Sequence, residues 1–360
     1  MTTPDQLSPD TDDPGGPARD PWAGPRRRSR RAFWRPRPSA SPGAFLRIFR
    51  QAMACRFQIL LPAAAGTDIP AACQALGHAD RLEQAWSVFR DDSHLSHINR
   101  AAAGGPCALD DELGALLRRC DGLSAATDGA FDITATPLSR CWRLLQREGR
   151  MPSPEAIAEA RARTGRHLVE IRGRGGRASA LQADGAGGWT IRFTRPGVEL
   201  NLGAIGKGYA VSCIAAHLRQ AGVAQALVSS GDSSVEAVGA PQGGWPIALR
   251  GHDAGVRLWL RHGALATSGA SEQGFEHNGV RLGHVLDPRT GWPARGVSRV
   301  AVAAPDAADA DALATAFFVG GPALADRYLA DHDDVLAVFT LDASPRPHIM
   351  GRTKGASVEA

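Results

Sequence analysis

Gly203-Ala204-Ile205-Gly206-Lys207-Gly208-Tyr209 leads into apolar residues at Val211, Ile214 and Leu218, a helical spacing that opens at a glycine-rich loop. The segments that follow change period. Ala226 to Ser229, Ser234 to Val238, Trp245 to Leu249 and Val256 to Arg261 read as strands separated only by turns. One helix followed by a run of strands is not the strict alternation of a parallel α/β sheet. It predicts an α+β fold with mixed or antiparallel sheets and segregated helices. The loop has its own chemistry. Of 41 Lys and Arg residues only Lys207 and Lys354 are lysines, so a chain that otherwise writes arginine keeps a compact ammonium here. Small residues around it let a ligand approach the backbone, and a helix N-terminus offers N–H groups and a positive dipole end to a phosphate. A glycine-rich turn carrying a surface lysine is the other reading the segment allows.

The rest of the chain fits the same class. Met53 to Leu61 reads as a strand, Ala71 to Phe89 and Leu113 to Ala126 as helices. Pro137 to Leu145 and Pro154 to Arg163 are helical with proline near the start. Short strands are predicted at Leu168 to Ile171, Ala178 to Gln182, Trp189 to Phe193 and Val198 to Leu200, and later at Arg281 to Leu286 and Val297 to Ala303. Ala307 to Val319 and Pro322 to Ala330 read as two helices, and Asp334 to Thr340 as the last strand. Residues 1–43 are rich in Pro, Asp, Arg, Gly and Ser without apolar periodicity, which predicts a solvated tail. The folded part is placed at residues 44–345, and 346–360 are read as a flexible C-terminal tail.

The net charge of +4 is concentrated at one end. Residues 1–50 hold ten arginines and five aspartates, so the other 310 residues sum to −1. A nearly neutral folded part gives no footprint for nucleic acid or an anionic membrane. Six scattered cysteines form no C-x-x-C pair, which argues against zinc and a disulfide scaffold and suits reduced thiols. Apolar stretches are too short to span a membrane, and the arginines at 26–28, 30 and 31 are not followed by an apolar run. A cytoplasmic protein without a signal peptide is expected.

Three further segments carry chemistry. Asp311 and Thr315 stand at i and i+4 of a predicted helix, so carboxylate and hydroxyl share one face. With a backbone carbonyl and phosphate oxygens they suit a hard cation such as Mg²⁺, although a solvated Asp and a back-bonded Thr fit the same spacing. His284 precedes turn chemistry at Asp287-Pro288 and Thr290-Gly291 and is a candidate general base or a structural histidine. Asp128-Gly129-Ala130-Phe131-Asp132 is a tight loop that either holds a flat ring or is a turn with Phe131 in the core.

In order along the chain come Met53-Ala54-Cys55-Arg56-Phe57, Phe89 to Asn99, Asp128 to Asp132, Leu202 to Tyr209, Ala266 to Gly269, His284 to Gly291 and Ala310 to Thr315. This series resembles the ApbE family of FAD:protein FMN transferases from about Met53 to Phe339. The resemblance implies two subdomains around a nucleotide cleft. It implies FAD as substrate, Mg²⁺ as cofactor and an acceptor protein whose Ser or Thr hydroxyl receives FMN as AMP leaves. It places metal ligands at Asp311, Thr315 and the Ala204 carbonyl, and flavin-nucleotide contacts at Met53, Phe89, Ala130, Phe131, Asp132, Asn201, Lys207 and His284. Lys207 would act on the phosphates and His284 as base. An FAD pyrophosphatase and an FAD-binding protein without turnover are the alternatives. The chain departs from the family pattern at Asn201 and Ser212, where Asp is usual, at Ser230-Gly231-Asp232-Ser233, and at Ala270-Ser271-Glu272-Gln273.

Overall fold

The computed structural model describes residues 44–146, 148–173, 188–249, 256–269, 274–277 and 279–359. The predicted strand at 178–182, the departures at 270–273 and the 1–43 segment lie outside them. In chain order the elements are β1 (Phe45–Ala52), β2 (Cys55–Pro62), α1 (Ile69–Trp86), α2 (His94–Ala101), β3 (Cys107–Leu109), α3 (Asp111–Ala126), α4 (Thr136–Cys141), α5 (Pro154–Arg161), β4 (Val169–Arg172) and β5 (Trp189–Phe193). Then come α6 (Gly206–Gln220), β6 (Ala226–Ser230), β7 (Ser234–Val238), β8 (Trp245–Ala248), β9 (Arg257–Leu260), β10 (Gly263–Gly269), β11 (Gly274–His277) and β12 (Val280–Gly283). The chain closes with β13 (Val297–Ala304), α7 (Ala307–Ala330), β14 (Val335–Leu341), β15 (Ser344–Arg352) and β16 (Ala356–Glu359).

Eight strands form one open sheet in the order β1-β2-β6-β7-β10-β13-β14-β15, and every described pairing is antiparallel. Both of its faces are apolar, which explains the nearly unbroken apolar runs of its central strands. Ile59, Val228, Val238, Ala266, Val302 and Phe339 face a core shared with α1, α6 and α7. Their neighbours Leu60, Leu227, Val235, Leu265, Ala303 and Val338 face the small sheet β16-β9-β8. Two further small sheets are β3-β5-β4 and β11-β12.

The antiparallel α+β expectation therefore holds, with corrections in detail. Met53 is not in a strand. Met53 and Ala54 form the two-residue turn of the β1–β2 hairpin with φ of 50° and 56°, the positive values a primed turn needs to match strand twist. Val198 to Leu200 is not a strand either, because Asn99 takes both the N–H and the carbonyl of Leu200. Residues 346–359 do not form a tail. Residues through Arg352 pair with β14, and β16 pairs with β9. The two predicted C-terminal helices are one element broken at Gly321, whose φ of 66° only glycine adopts readily, just before Pro322. No helix among the described residues is long and apolar enough to cross a membrane.

Candidate active site

The antiparallel order brings the Met53-Ala54 turn, the 231–233 turn between β6 and β7, and the end of β10 to one edge of the large sheet. Gly231 N–H donates to the Arg56 carbonyl at 2.6 Å and Thr267 N–H to the Ser233 carbonyl at 2.7 Å, tying these turns together. Met53 and Ala54 keep a left-handed backbone that non-glycine residues rarely adopt, and such strain collects at functional sites.

On the helix face of this sheet the glycine-rich loop meets α7. Three N–H groups at the start of α6 are taken by the protein itself. Gly206 donates to the Leu202 carbonyl at 2.6 Å and Tyr209 to the Ile205 carbonyl at 2.8 Å. Gly208 donates to Asp311 Oδ2 at 2.9 Å. The positive end of α6 thus faces a carboxylate of the protein itself. The contact needs glycine, since a Cβ on residue 208 would lie 2.0 Å from the Ala307 carbonyl oxygen. Lys207 Nζ donates to the Gly203 carbonyl at 3.1 Å, and Asn201 Oδ1 accepts from Gly203 N–H at 2.8 Å, so Lys207 and Asn201 hold the loop that carries Ala204.

Asp311 is 4% exposed. Burial pushes its carboxyl above the ordinary range, against the pull of Lys207 and the Gly208 N–H. Thr315 donates its hydroxyl proton to the Asp311 carbonyl at 3.3 Å. That is the back-bonded arrangement, and it leaves the oxygen's lone pairs for a cation. The residues present fit a hard divalent ion. The donors would be the Asp311 carboxylate, the Thr315 hydroxyl and the Ala204 carbonyl, all oxygen. A buried carboxylate whose described hydrogen bond is the one from Gly208 also gains from a cation. Three His, Cys, Asp or Glu side chains do not come together as metal ligands among the described residues; this candidate set uses a single carboxylate.

The Asp128–Asp132 loop lies beside this group. Asn201 N–H donates to the Ile133 carbonyl at 2.8 Å. Phe131 is fully buried and Ala130 nearly so, so the Phe131 ring belongs to the core rather than to an open ring-binding face. Asp132 Oδ1 accepts from Thr134 N–H at 2.8 Å and Thr134 Oγ1 at 2.6 Å. Burial raises the Asp132 pKa, and Thr134 holds it down. On the other side, a Cβ on Gly129 would sit 3.8 Å from Arg289 Cγ. Arg289 and Asp287 form a paired turn, with Nε to Oδ1 at 2.8 Å. His284 stands three residues before Asp287, just after β12 rather than within a strand, and is half-buried. Residues 285–287 pair back onto 292–294, which fixes its backbone. Phe89, 64% exposed, lies in the loop between α1 and α2.

Sequence reading missed Glu236. It is 2% exposed in the middle of β7. A lone charge in Ser234-Val235-Glu236-Ala237-Val238 was the available signal, since a buried carboxylate must be paired.

A model of the ApbE family matches residues 53–340. The FAD:protein FMN transferase of Treponema pallidum is 32% identical over 272 residues, 71% of this chain and 73% of that protein. That of Escherichia coli is 31% identical over 257 residues, covering 68% and 69%. The crystal structure of the ApbE protein of Thermotoga maritima superposes with a TM-score of 0.73 at 28% identity, covering 86% of this chain and 97% of that one. The flavinyl transferase ApbE of Pseudomonas stutzeri gives 0.71 at 26% identity, covering 88% and 97%.

Proposed function

The chain belongs to the ApbE family and is an enzyme, an FAD:protein FMN transferase, and we propose that it moves FMN from FAD onto a Ser or Thr hydroxyl of an acceptor protein with Mg²⁺ and releases AMP. The observation that carries this reading is the Gly208 N–H on the Asp311 carboxylate, which sets Asp311 against the loop whose Lys207 ammonium holds the Gly203 carbonyl, with the Thr315 hydroxyl on the next turn of the same helix. Asp311, Thr315 and the Ala204 carbonyl would hold the metal. When bound, Mg²⁺ neutralises pyrophosphate charge and orients its oxygens.

The chain's own residues would do the rest. The Lys207 ammonium offsets charge on the phosphates. The Met53-Ala54 turn and the backbone of Ala130 to Asp132, together with Phe89 and Asn201, would bind and orient the flavin nucleotide. His284 would take the acceptor hydroxyl proton as its oxygen bonds to the FMN-side phosphorus. The bond from that phosphorus to the bridging oxygen then breaks, and AMP leaves with the bridging oxygen. Positioning supplies most of the rate in such displacements.

The test is the intact mass of an acceptor peptide from a flavinylated protein after incubation with the enzyme, FAD and Mg²⁺, with AMP followed alongside. An FMN adduct together with AMP supports the transferase. AMP and free FMN without adduct on any acceptor would favour a pyrophosphatase. In the same assay His284→Asn is expected to slow transfer by about 10²–10⁴-fold, the usual contribution of a general base. FAD binding followed by flavin fluorescence should change far less. Equal transfer rates in wild type and variant would remove His284 from the proton step.

A further inference from the structure

The first turn of α7 has N–H groups with no partner inside the helix. Asp306 Oδ1 accepts two of them, from Ala308 at 2.9 Å and Asp309 at 3.0 Å. The Ala307 N–H goes elsewhere, 3.1 Å from Glu236 Oε2 and 3.0 Å from Ser212 Oγ. Ser212 Oγ in turn donates to Glu236 Oε2 at 2.7 Å, and Arg219 Nη1 lies 2.9 Å from Glu236 Oε1. One buried carboxylate on β7 therefore gathers donors from α6 and α7. Burial pushes its pKa up, while Ser212, Arg219 and the Ala307 N–H pull it down. Desolvation of this kind is costly unless the acceptor oxygens are used, and here both are.

The same two helices share a second clasp, the Gly208 N–H on Asp311. Ser212 stands four residues after Gly208, and Ala307 four before Asp311. The two clasps are thus one turn apart on facing sides of antiparallel helices. Fixing Ala307 fixes where Asp311 falls.

We propose that Glu236, through Ser212 and Arg219, is a positioning residue that sets the register of α7 against α6 and so holds the Asp311 carboxylate against the Lys207 loop for metal binding. The inference rests on the metal-dependent reading above. The departure at Ser212 fits it. Ser212 donates to the one carboxylate of the clasp, which β7 supplies, where an Asp would repel it.

The test uses the full chain with FAD and Mn²⁺ as the probe, free Mn²⁺ being counted by electron paramagnetic resonance, so that it does not depend on FMN transfer. Glu236→Gln is expected to weaken Mn²⁺ binding by about 10- to 100-fold, the scale on which lost orientation of a metal ligand shows. In the transfer assay the metal KM should rise more than kcat falls. Adding Ser212→Asp to Glu236→Gln returns a carboxylate from the α6 side and should recover binding. Ser212→Asp alone sets two carboxylates against each other and should weaken it. That reversal of sign is not expected of a residue that only contributes stability. Should Glu236→Gln fail to fold, Ser212→Ala keeps the carboxylate and should weaken Mn²⁺ binding in the same direction to a smaller extent.

Wild-type Mn²⁺ affinity in Glu236→Gln, or in Ser212→Ala if the former does not fold, overturns the proposal. So does Mn²⁺ binding by Asp311→Asn at wild-type strength, since no metal would then depend on Asp311. A wild type that binds Mn²⁺ through Asp311 and weakly in Glu236→Gln, yet forms no FMN adduct, would sink the transferase reading and support this one.

Discussion

Asp311→Asn is expected to lower FMN transfer by at least about 10³-fold, on the order of 4 kcal/mol, the scale of a lost charge contact to a catalytic metal. The substitution keeps shape. An amide oxygen can still accept the Gly208 N–H that now reaches Asp311 Oδ2 at 2.9 Å. What disappears is the negative charge. Because burial already disfavours that charge, its removal should not lower the thermal midpoint. The loss should therefore appear in metal-dependent transfer and AMP release, with the fold intact by circular dichroism. Transfer within tenfold of wild type would show that the metal, or the chemistry, does not depend on this carboxylate.

The second large effect is expected from Gly208→Ala, and two opposing terms decide its sign. In an isolated helix the change gains about 1 kcal/mol. In this protein the added Cβ would lie 2.0 Å from the Ala307 carbonyl oxygen and 2.7 Å from Asp311 Cβ. The backbone of α7 has to move, and overpacking of this kind costs about 3 kcal/mol, so the clash outweighs the propensity. The expected outcome is a clear fall in the thermal midpoint together with loss of metal-dependent transfer, since the same shift pulls Asp311 from its clasp. Gly77→Ala in α1 is the matched control. Nothing lies within 4 Å of its Cβ, so only the propensity term applies and a small rise in midpoint is expected. Equal midpoints for the two variants would mean that α6 and α7 are not packed as described.

Much of the candidate site was legible because it depends on spacing along one helix or on an unusual residue choice. Asp311 and Thr315 share a face by helical period alone. Lys207 stood out as one of two lysines in an arginine-rich chain. The misreadings have a different cause. At the start of α6 the sequence shows which N–H groups a helix exposes but not that the Gly208 N–H meets Asp311. Phe131 could be placed either in a ring-binding loop or in the core, and only the packing of α3 and its neighbours put it inside. Residues 346–360 carry few apolar residues and read as a tail, yet residues up to 359 complete two sheets by backbone pairing that polar side chains do not prevent.

The sequence by itself determined the class of fold, the break between the two halves of α7 and the family, since each follows from local period, glycine and proline placement, or motif order. Only the tertiary structure decided which groups meet. That Gly208 must have no side chain, that the Ala307 N–H is taken by Glu236 rather than by its own helix cap, and that both clasps fall one turn apart all follow from two helices crossing one sheet at about a hundred residues' separation. No local pattern encodes that crossing. It is set by which apolar stripes fill the common core, and the site's geometry is inherited from that packing.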